Sequence, residues 1–202
     1  MRLYEYTMAP NPRRVRVFLA EKGIQVPTVQ VDITKAENRE PEFLAKNPMG
    51  TLPVLELDDG TYLAESVSIC RYFEELQPDP PLFGTGAHER ALVDMWQRRM
   101  EIEVLLPIAG CFRNTHDFFK GRLPQVPEYG EVCKQTANKR LAWLDDVLAD
   151  REFIAGDRYT IADITPMVAI DFGRITDIRI QPEQKNLARW HQAVSNRPSA
   201  RA

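Results

Sequence analysis

The chain has 202 residues, 44% of them hydrophobic and 27% charged, with a formal net charge of −3. This composition describes a globular chain that can bury one sizeable core or two smaller ones, and its slightly acidic balance argues against a nucleic-acid partner. No apolar run approaches the roughly 20 residues of a membrane span, and the start MRLYEYTMAP lacks a secretory pattern, so the cytoplasm is the expected location. Cys70, Cys111 and Cys133 lie far apart with no Cys-x-x-Cys or zinc spacing, so they are expected in the core and no metal is expected.

In chain order, Arg2 to Tyr6 reads as a first strand and Thr7 to Asn11 as a loop. Pro12 suits the first position of a helix whose apolar face is Val15, Phe18 and Leu19, with Gly23 at its end. Val29, Val31 and Ile33 alternate, which predicts a strand over 28–33. A polar stretch follows, with a short helix around Glu42 to Leu44. Asn47-Pro48-Met49-Gly50 forms a bend, and the apolar runs Val54–Leu57 and Thr61–Ala64 flank Asp58-Asp59-Gly60, a strong hairpin signal. Ile69, Phe73 and Leu76 then repeat at helical spacing from Ser66. The order β-α-β-(α)-β-β-α suits a four-stranded mixed sheet, a thioredoxin-like outline.

Residues 77–87 hold three prolines and two glycines and read as a linker, which predicts domains at 1–77 and 88–202. Beyond it only helical patterns occur. The first runs from His88 to about Phe119, with Pro107 expected to kink or interrupt it. Gly121 to Tyr129 reads as a loop, Glu131 to Ala149 as a helix, and Asn186 to Asn196 as a last helix. Thr160 and Asp163 form an acidic capping box at the start of another, a folding device rather than a catalytic one.

The stretch Asn47 to Ser66 also reads as a binding edge. Proline cannot donate to a sheet ladder, so Pro53 belongs at a strand start or an edge. A cis bond before it would present the Leu52 backbone to an extended, peptide-like ligand. Ser66 at a helix start suits a carboxylate and Glu65 an amine. A plain hairpin followed by a capped helix accounts for the same local residues.

NPMGTLPVLELDDG followed four residues later by Glu65-Ser66 resembles the glutathione site of the cytosolic glutathione S-transferases, bacterial type. The resemblance covers nearly the whole chain and implies a thioredoxin-like N-terminal domain, an all-helical second domain and a homodimer. The implied activity is glutathione thiolate attack on a hydrophobic electrophile, or glutathione-dependent reduction of a disulfide or peroxide. A protein that binds glutathione without turnover, as a carrier or regulator, is the alternative.

By the same resemblance the Leu52 backbone beside Pro53 meets the cysteinyl unit, Glu65 and Ser66 the γ-glutamyl end, and Lys35 or Lys46 the glycyl carboxylate. Ala9-Pro10-Asn11-Pro12 is similar to the Thr-Pro-Asn-Gly loop of a bacterial subgroup with thiol–disulfide activity. That similarity makes Asn11 the first choice for the donor to sulfur, with Thr7 and Tyr6 in reserve. An N-cap role for Asn11 is equally compatible. Met8, Met100, Phe112 and Met167 are the expected lining of an apolar electrophile pocket, and they suit a core equally well. The electrophile itself and the dimer interface are not legible.

Overall fold

The computed structural model describes all 202 residues. It divides into two compact units: Met1–Leu82 with Pro198–Ala202, and Phe83–Arg197. No helix is long and apolar enough to cross a membrane.

In the first unit, strands β1 (Arg2–Glu5), β2 (Thr28–Gln30), β3 (Val54–Glu56) and β4 (Tyr62–Ala64) form one sheet in the order β2-β1-β3-β4. β1 and β2 are parallel; β3 runs antiparallel to β1 and to β4. The parallel pair needs a crossover, supplied by α1 (Pro10–Glu21), and the antiparallel pair needs only the tight turn at Asp58-Asp59-Gly60. There Gly60 takes φ 84° and Asp59 accepts from Thr61 N–H at 2.8 Å. Strand alternation sends Tyr4 and Val54 to one face, where they pack with Val31 and Phe43 of α2 (Pro41–Leu44). α1 packs against α3 (Ser66–Leu76).

Two local expectations in this unit differ from the structure. Helix α1 begins at Pro10, not Pro12, and its N-cap is Ala9, with no side-chain cap. Both prolines fit, because the first-turn N–H groups have no intrahelical partner to lose. The strand expected over 28–33 stops at Gln30: Asp32 caps a 3₁₀ turn over Ile33–Lys35, accepting from Thr34 N–H at 2.9 Å.

A buried cation fastens the ends of α1 and α3. Lys22 Nζ lies 2.7 Å from Glu74 Oε2 and donates to the carbonyls of Gln77 and Pro80, both at 2.7 Å. The final residues return to α1: Arg13 donates to the Ala200 carbonyl at 3.0 Å, and Ser199 hydrogen-bonds Glu21.

The second unit is helical: α4 (Gly86–Arg99), α5 (Leu106–Thr115), α6 (Pro127–Val147), α7 (Ile161–Gly173) and α8 (Lys185–Ser195). Pro107 acts upstream of itself. It has no N–H and its ring crowds the carbonyl four residues back, so the helix widens into a π turn over Met100–Leu105. Leu106 N–H accordingly reaches the Glu101 carbonyl, five residues back. Helix α6 starts at Pro127 inside the stretch expected to be loop, because proline at the first helical position is favourable. α7 is buried from Ile161 to Ile170 and packs against α4, α5 and α8.

The capping box at the head of α7 is present and reaches beyond its own turn. Asp163 Oδ2 accepts from Thr160 N–H at 2.9 Å and from Thr160 Oγ1 at 3.2 Å. Its Oδ1 accepts from Ile154 N–H and Trp190 Nε1, both at 2.9 Å. Burial pushes the Asp163 carboxyl up to about 6, against these donors, which all favour the charged form.

Candidate functional site

The strand register brings the site residues of the first unit together. Tyr4 pairs with Val54 and Val54 with Ala64. Tyr6 just after β1, Leu52 before β3 and Ser66 after β4 therefore leave the sheet at the same end. The Leu52–Pro53 peptide bond is cis. The Leu52 side chain packs against the Tyr4, Val31, Phe43 and Val54 cluster. Neither its N–H nor its carbonyl is hydrogen-bonded within the chain.

This loop is held by side chains. Asn47 is buried; its Nδ2 donates to the Thr51 carbonyl at 2.9 Å and Oγ1 at 3.0 Å, and its Oδ1 accepts from Met49 N–H at 3.2 Å. Asn38 Nδ2 donates to the Gly50 carbonyl at 2.7 Å, and Arg39 Nη1 to the Met49 carbonyl at 3.3 Å. Gly50 has φ 62°, and a Cβ there would lie 2.8 Å from Arg39 Nη1 and 2.9 Å from the Asn38 carbonyl oxygen. Glycine is therefore required twice, by dihedral and by contact.

Helices α1 and α3 begin side by side. Ser66 is buried, and its Oγ donates to the Asn11 carbonyl at 3.2 Å. The first intrahelical bond of α3 is Ile69 N–H to the Glu65 carbonyl, at 3.0 Å, so the N–H groups of Ser66, Val67 and Ser68 precede it. Such a cluster at the positive end of the helix dipole is an anion site. Glu65, the N-cap, is exposed and has φ 66°, ψ 121°. That conformation is costly for a residue with a β-carbon, and such residues concentrate at ligand sites.

At α1, Pro10 and Pro12 have no N–H, and the first helical bond is Arg13 N–H to the Ala9 carbonyl at 3.3 Å. Asn11 therefore carries the one backbone donor of the opening turn. Its side-chain Oδ1 accepts from Arg14 Nη1 at 3.3 Å, which leaves the amide N–H₂ as the outward donor. Asn11 is not the N-cap, so that competing role is removed.

Thr7 is occupied elsewhere. Its N–H and Oγ1 donate to Gln30 Oε1 at 3.1 and 3.0 Å, Gln30 Nε2 donates to the buried Glu5 at 2.9 Å, and Arg16 pairs with Glu5 and donates to the Thr7 carbonyl. Tyr6 is half-buried. Lys35 is exposed and lies 3.5 Å from Asp32. Lys46 has its ammonium over the rings of Tyr4 (5.7 Å) and Tyr62 (5.5 Å), beside Glu56. Glu56 is held down to about 2, first by the Arg2 hydrogen bond and then by Tyr4. Burial, with the bond to Glu56, pushes Tyr4 up to about 12. Lys46 is thus engaged on the sheet face beside Glu56, which lies two residues along β3 from Val54.

Of the expected pocket residues, Met100 and Met167 are fully buried in the helical unit and Met8 is 78% exposed. Phe112 lies in an aromatic group, 4.6 Å from the His116 ring, 4.8 Å from Phe172 and 5.3 Å from Phe119. Sequence reasoning missed Asn38, Arg39 and the function of Asn47. For Asn47 the signal was present, since Asn two residues before a bend's amide forms an Asx turn.

A profile described as the glutathione S-transferase N-terminal domain matches residues 9–76, and one for the C-terminal domain matches 106–198. The chain is 36% identical to "Glutathione S-transferase 2" of Saccharomyces cerevisiae, covering 100% of this chain and 88% of the relative. It is 31% identical to "Glutathione S-transferase F10" of Arabidopsis thaliana, covering 93% and 88%. The crystal structure of Gtt2 from Saccharomyces cerevisiae superposes with a TM-score of 0.95 at 36% identity, over 100% of this chain and 99% of that one. A glutathione S-transferase domain-containing protein of Marinobacter aquaeolei gives 0.95 at 38% identity, over 98% and 99%. With both halves matched and full-length relatives well above a chance level of identity, this chain belongs to the glutathione S-transferase family.

Proposed function

We propose that the chain is a glutathione transferase that grips glutathione across the sheet end formed by Tyr6, Leu52 and Ser66. What supports this reading is the unpaired Leu52 backbone beside the cis peptide bond, at the sheet end from which the chain enters α3 at Ser66. In this reading Leu52 N–H and C=O pair with the cysteinyl backbone, next to Pro53. Ser66 and the first N–H groups of α3 hold the γ-glutamyl carboxylate, and Glu65 takes the amine. Lys35 and Arg39 are the cations offered to the glycyl carboxylate, Arg39 being fixed against the loop itself.

The chemistry requires a thiolate. A free thiol titrates near 8.5, and lowering that by two units takes about 2.7 kcal/mol. A hydrogen bond to a charged acceptor supplies roughly 1.5–3 kcal/mol and a helix N-terminus about 0.3–1 kcal/mol. The Asn11 amide together with the single backbone N–H of the α1 opening turn is therefore of sufficient size. The thiolate then attacks an electrophilic carbon; a C–S bond forms and the leaving group departs with the bonding pair. With a disulfide as acceptor, an S–S bond forms as another breaks.

The reading extends to a cytoplasmic homodimer. Met95, Ile102 and Leu106 are exposed at helical spacing along α4, the π turn and α5, and they supply apolar area for a second copy. Sedimentation at two concentrations tests this.

The central test is retention on immobilised glutathione, followed by assays with an aryl halide and with hydroxyethyl disulfide. Turnover of either that falls at least tenfold in Asn11→Ala, with retention kept, supports the assignment. Retention without any turnover would favour a carrier, and failure to be retained would remove the site.

A further inference from the structure

We propose that Gln30, an exposed residue on the edge strand β2, is a positioning residue for the reaction: it fixes the loop that delivers Asn11 to the sulfur. The inference rests on the glutathione reading above and adds to it a residue outside every glutathione contact named there. Glu5 and Gln30 stand opposite each other in the parallel register of β1 and β2. From that pair Thr7, Gln30, Glu5 and Arg16 close a ring of hydrogen bonds. Thr7 N–H and Thr7 Oγ1 donate to Gln30 Oε1 at 3.1 and 3.0 Å, and Gln30 Nε2 donates to Glu5 Oε1 at 2.9 Å. Arg16 Nη1 pairs with the other Glu5 oxygen, and Arg16 Nη2 donates to the Thr7 carbonyl at 2.9 Å.

The ring uses both ends of the Gln30 amide. Its oxygen meets two donors and its N–H₂ meets a carboxylate. Turning the amide over would set donor against donor at Thr7 and oxygen against carboxylate at Glu5, so its neighbours dictate its orientation. Through this amide Thr7 is tied at once to β1, to β2 and to α1. The chain beyond it is stitched on: Ala9 N–H donates to the Tyr6 carbonyl at 2.9 Å, and Arg13 N–H to the Ala9 carbonyl at 3.3 Å. Thr7 and Arg16 therefore bracket Asn11, and the opening turn of α1 has one seat against the sheet. Without Gln30, both Thr7 donors and Glu5 Oε1 lose their partner. The Arg16 fork then turns to both oxygens of the buried Glu5, the arrangement that arginine favours with a carboxylate, and lets go of the Thr7 carbonyl. The loop is freed while the core stays intact, because Gln30 is exposed. A displacement of about 1 Å in a group that meets the reacting atom costs up to about a hundredfold in rate.

The test compares the parent with Gln30→Met and Gln30→Glu in the full chain, using whichever of the aryl halide and hydroxyethyl disulfide the parent turns over. In Gln30→Met, kcat is expected to fall about tenfold or more. KM for glutathione stays within about twofold, since Leu52, Glu65 and Ser66 are untouched, and the ultraviolet band of bound thiolate titrates about one pH unit higher. Gln30→Glu shows the same loss near pH 8, where two carboxylates face each other. Its kcat relative to the parent's recovers toward about pH 5, because a protonated carboxyl accepts from Thr7 and donates to Glu5 as the amide does. An active parent whose Gln30→Met variant keeps kcat and the thiolate titration overturns this proposal alone. So does a Gln30→Glu deficit that ignores pH, an equal loss in KM and kcat, or unfolding of both variants in circular dichroism. A parent that neither binds nor turns over glutathione removes the reading beneath it as well.

Discussion

Replacing Glu65 with glycine separates folding from binding at the proposed site. At φ 66° and ψ 121° a residue with a β-carbon bears on the order of 1–3 kcal/mol of backbone strain. Glycine relieves it but gives back roughly 0.5–1 kcal/mol through the greater freedom of the unfolded chain. The Glu65 side chain is exposed and makes no hydrogen bond or ion pair in the chain, so nothing else is lost from the fold. The expected net change is a gain of about 1 kcal/mol, seen as a midpoint about 2–4 °C higher for a chain of this size. The same variant lacks the carboxylate proposed to hold the γ-glutamyl amine. Losing a charge-assisted hydrogen bond of about 1.5–3 kcal/mol weakens glutathione roughly 10- to 150-fold. Thermal unfolding and calorimetric titration measure the two halves. Glu65→Ala is the control: it keeps the strained dihedral and loses the carboxylate, so it melts like the parent and binds like the glycine variant. A glycine variant that melts lower than the parent, or that binds glutathione normally, would refute the reasoning.

Other outcomes follow from the same geometry. Asp163→Ala strands Ile154 N–H, Thr160 N–H and Trp190 Nε1 in the interior, and chemical denaturation is expected to record a loss of about 3–5 kcal/mol. Lys22→Met leaves Glu74 buried opposite an apolar group and costs about 3–5 kcal/mol, whereas Lys22→Met/Glu74→Leu recovers most of it in the same denaturation curves. Glu89 is held down to about 2, first by Arg158 and then by the Thr85 N–H and hydroxyl. Its contribution is therefore fully present above the ordinary carboxylate range near 4.5 and lost as pH falls toward 2, so the midpoint gap between the parent and Glu89→Gln narrows over that interval. Asn47→Ala removes the clamp inside the Asn47–Thr51 bend and is expected to weaken glutathione at least tenfold in titration, while β3 and β4 remain paired.

The parts of the fold that local chemistry dictates were legible from residues alone. Asp-Gly between two apolar runs fixes the β3–β4 hairpin, and Ile69 and Phe73 mark the inward face of α3. What escaped the sequence depends on through-space partners. Either Pro10 or Pro12 can open a helix, and only the tertiary setting of the Tyr6–Pro10 loop chooses the earlier one. Pro107 announces an interruption but not its form, because a kink and a π turn both accommodate the missing N–H. Thr160 and Asp163 identify a helix start, yet Ile154 and Trp190 share the carboxylate through folding across the unit. Lys46 reads as a free cation in sequence; the rings that hold it come from β1 and β4. The conformation of the candidate site was legible where a motif carries its own geometry, from Asn47 to Ser66, and illegible at Asn38 and Arg39, which hold the loop at Met49 and Gly50 through space.

The return of residues 198–202 to α1 means that the glutathione-side unit is discontinuous along the chain. A fragment ending at Leu82 would keep every strand and still lack the acceptor that Ala200 gives Arg13 and the hydroxyl that Ser199 gives Glu21. Helix α1, which carries the proposed sulfur donor Asn11, is thereby braced by chain made more than a hundred residues after it. During synthesis these two contacts of α1 can form only once the last turn of the protein has been made.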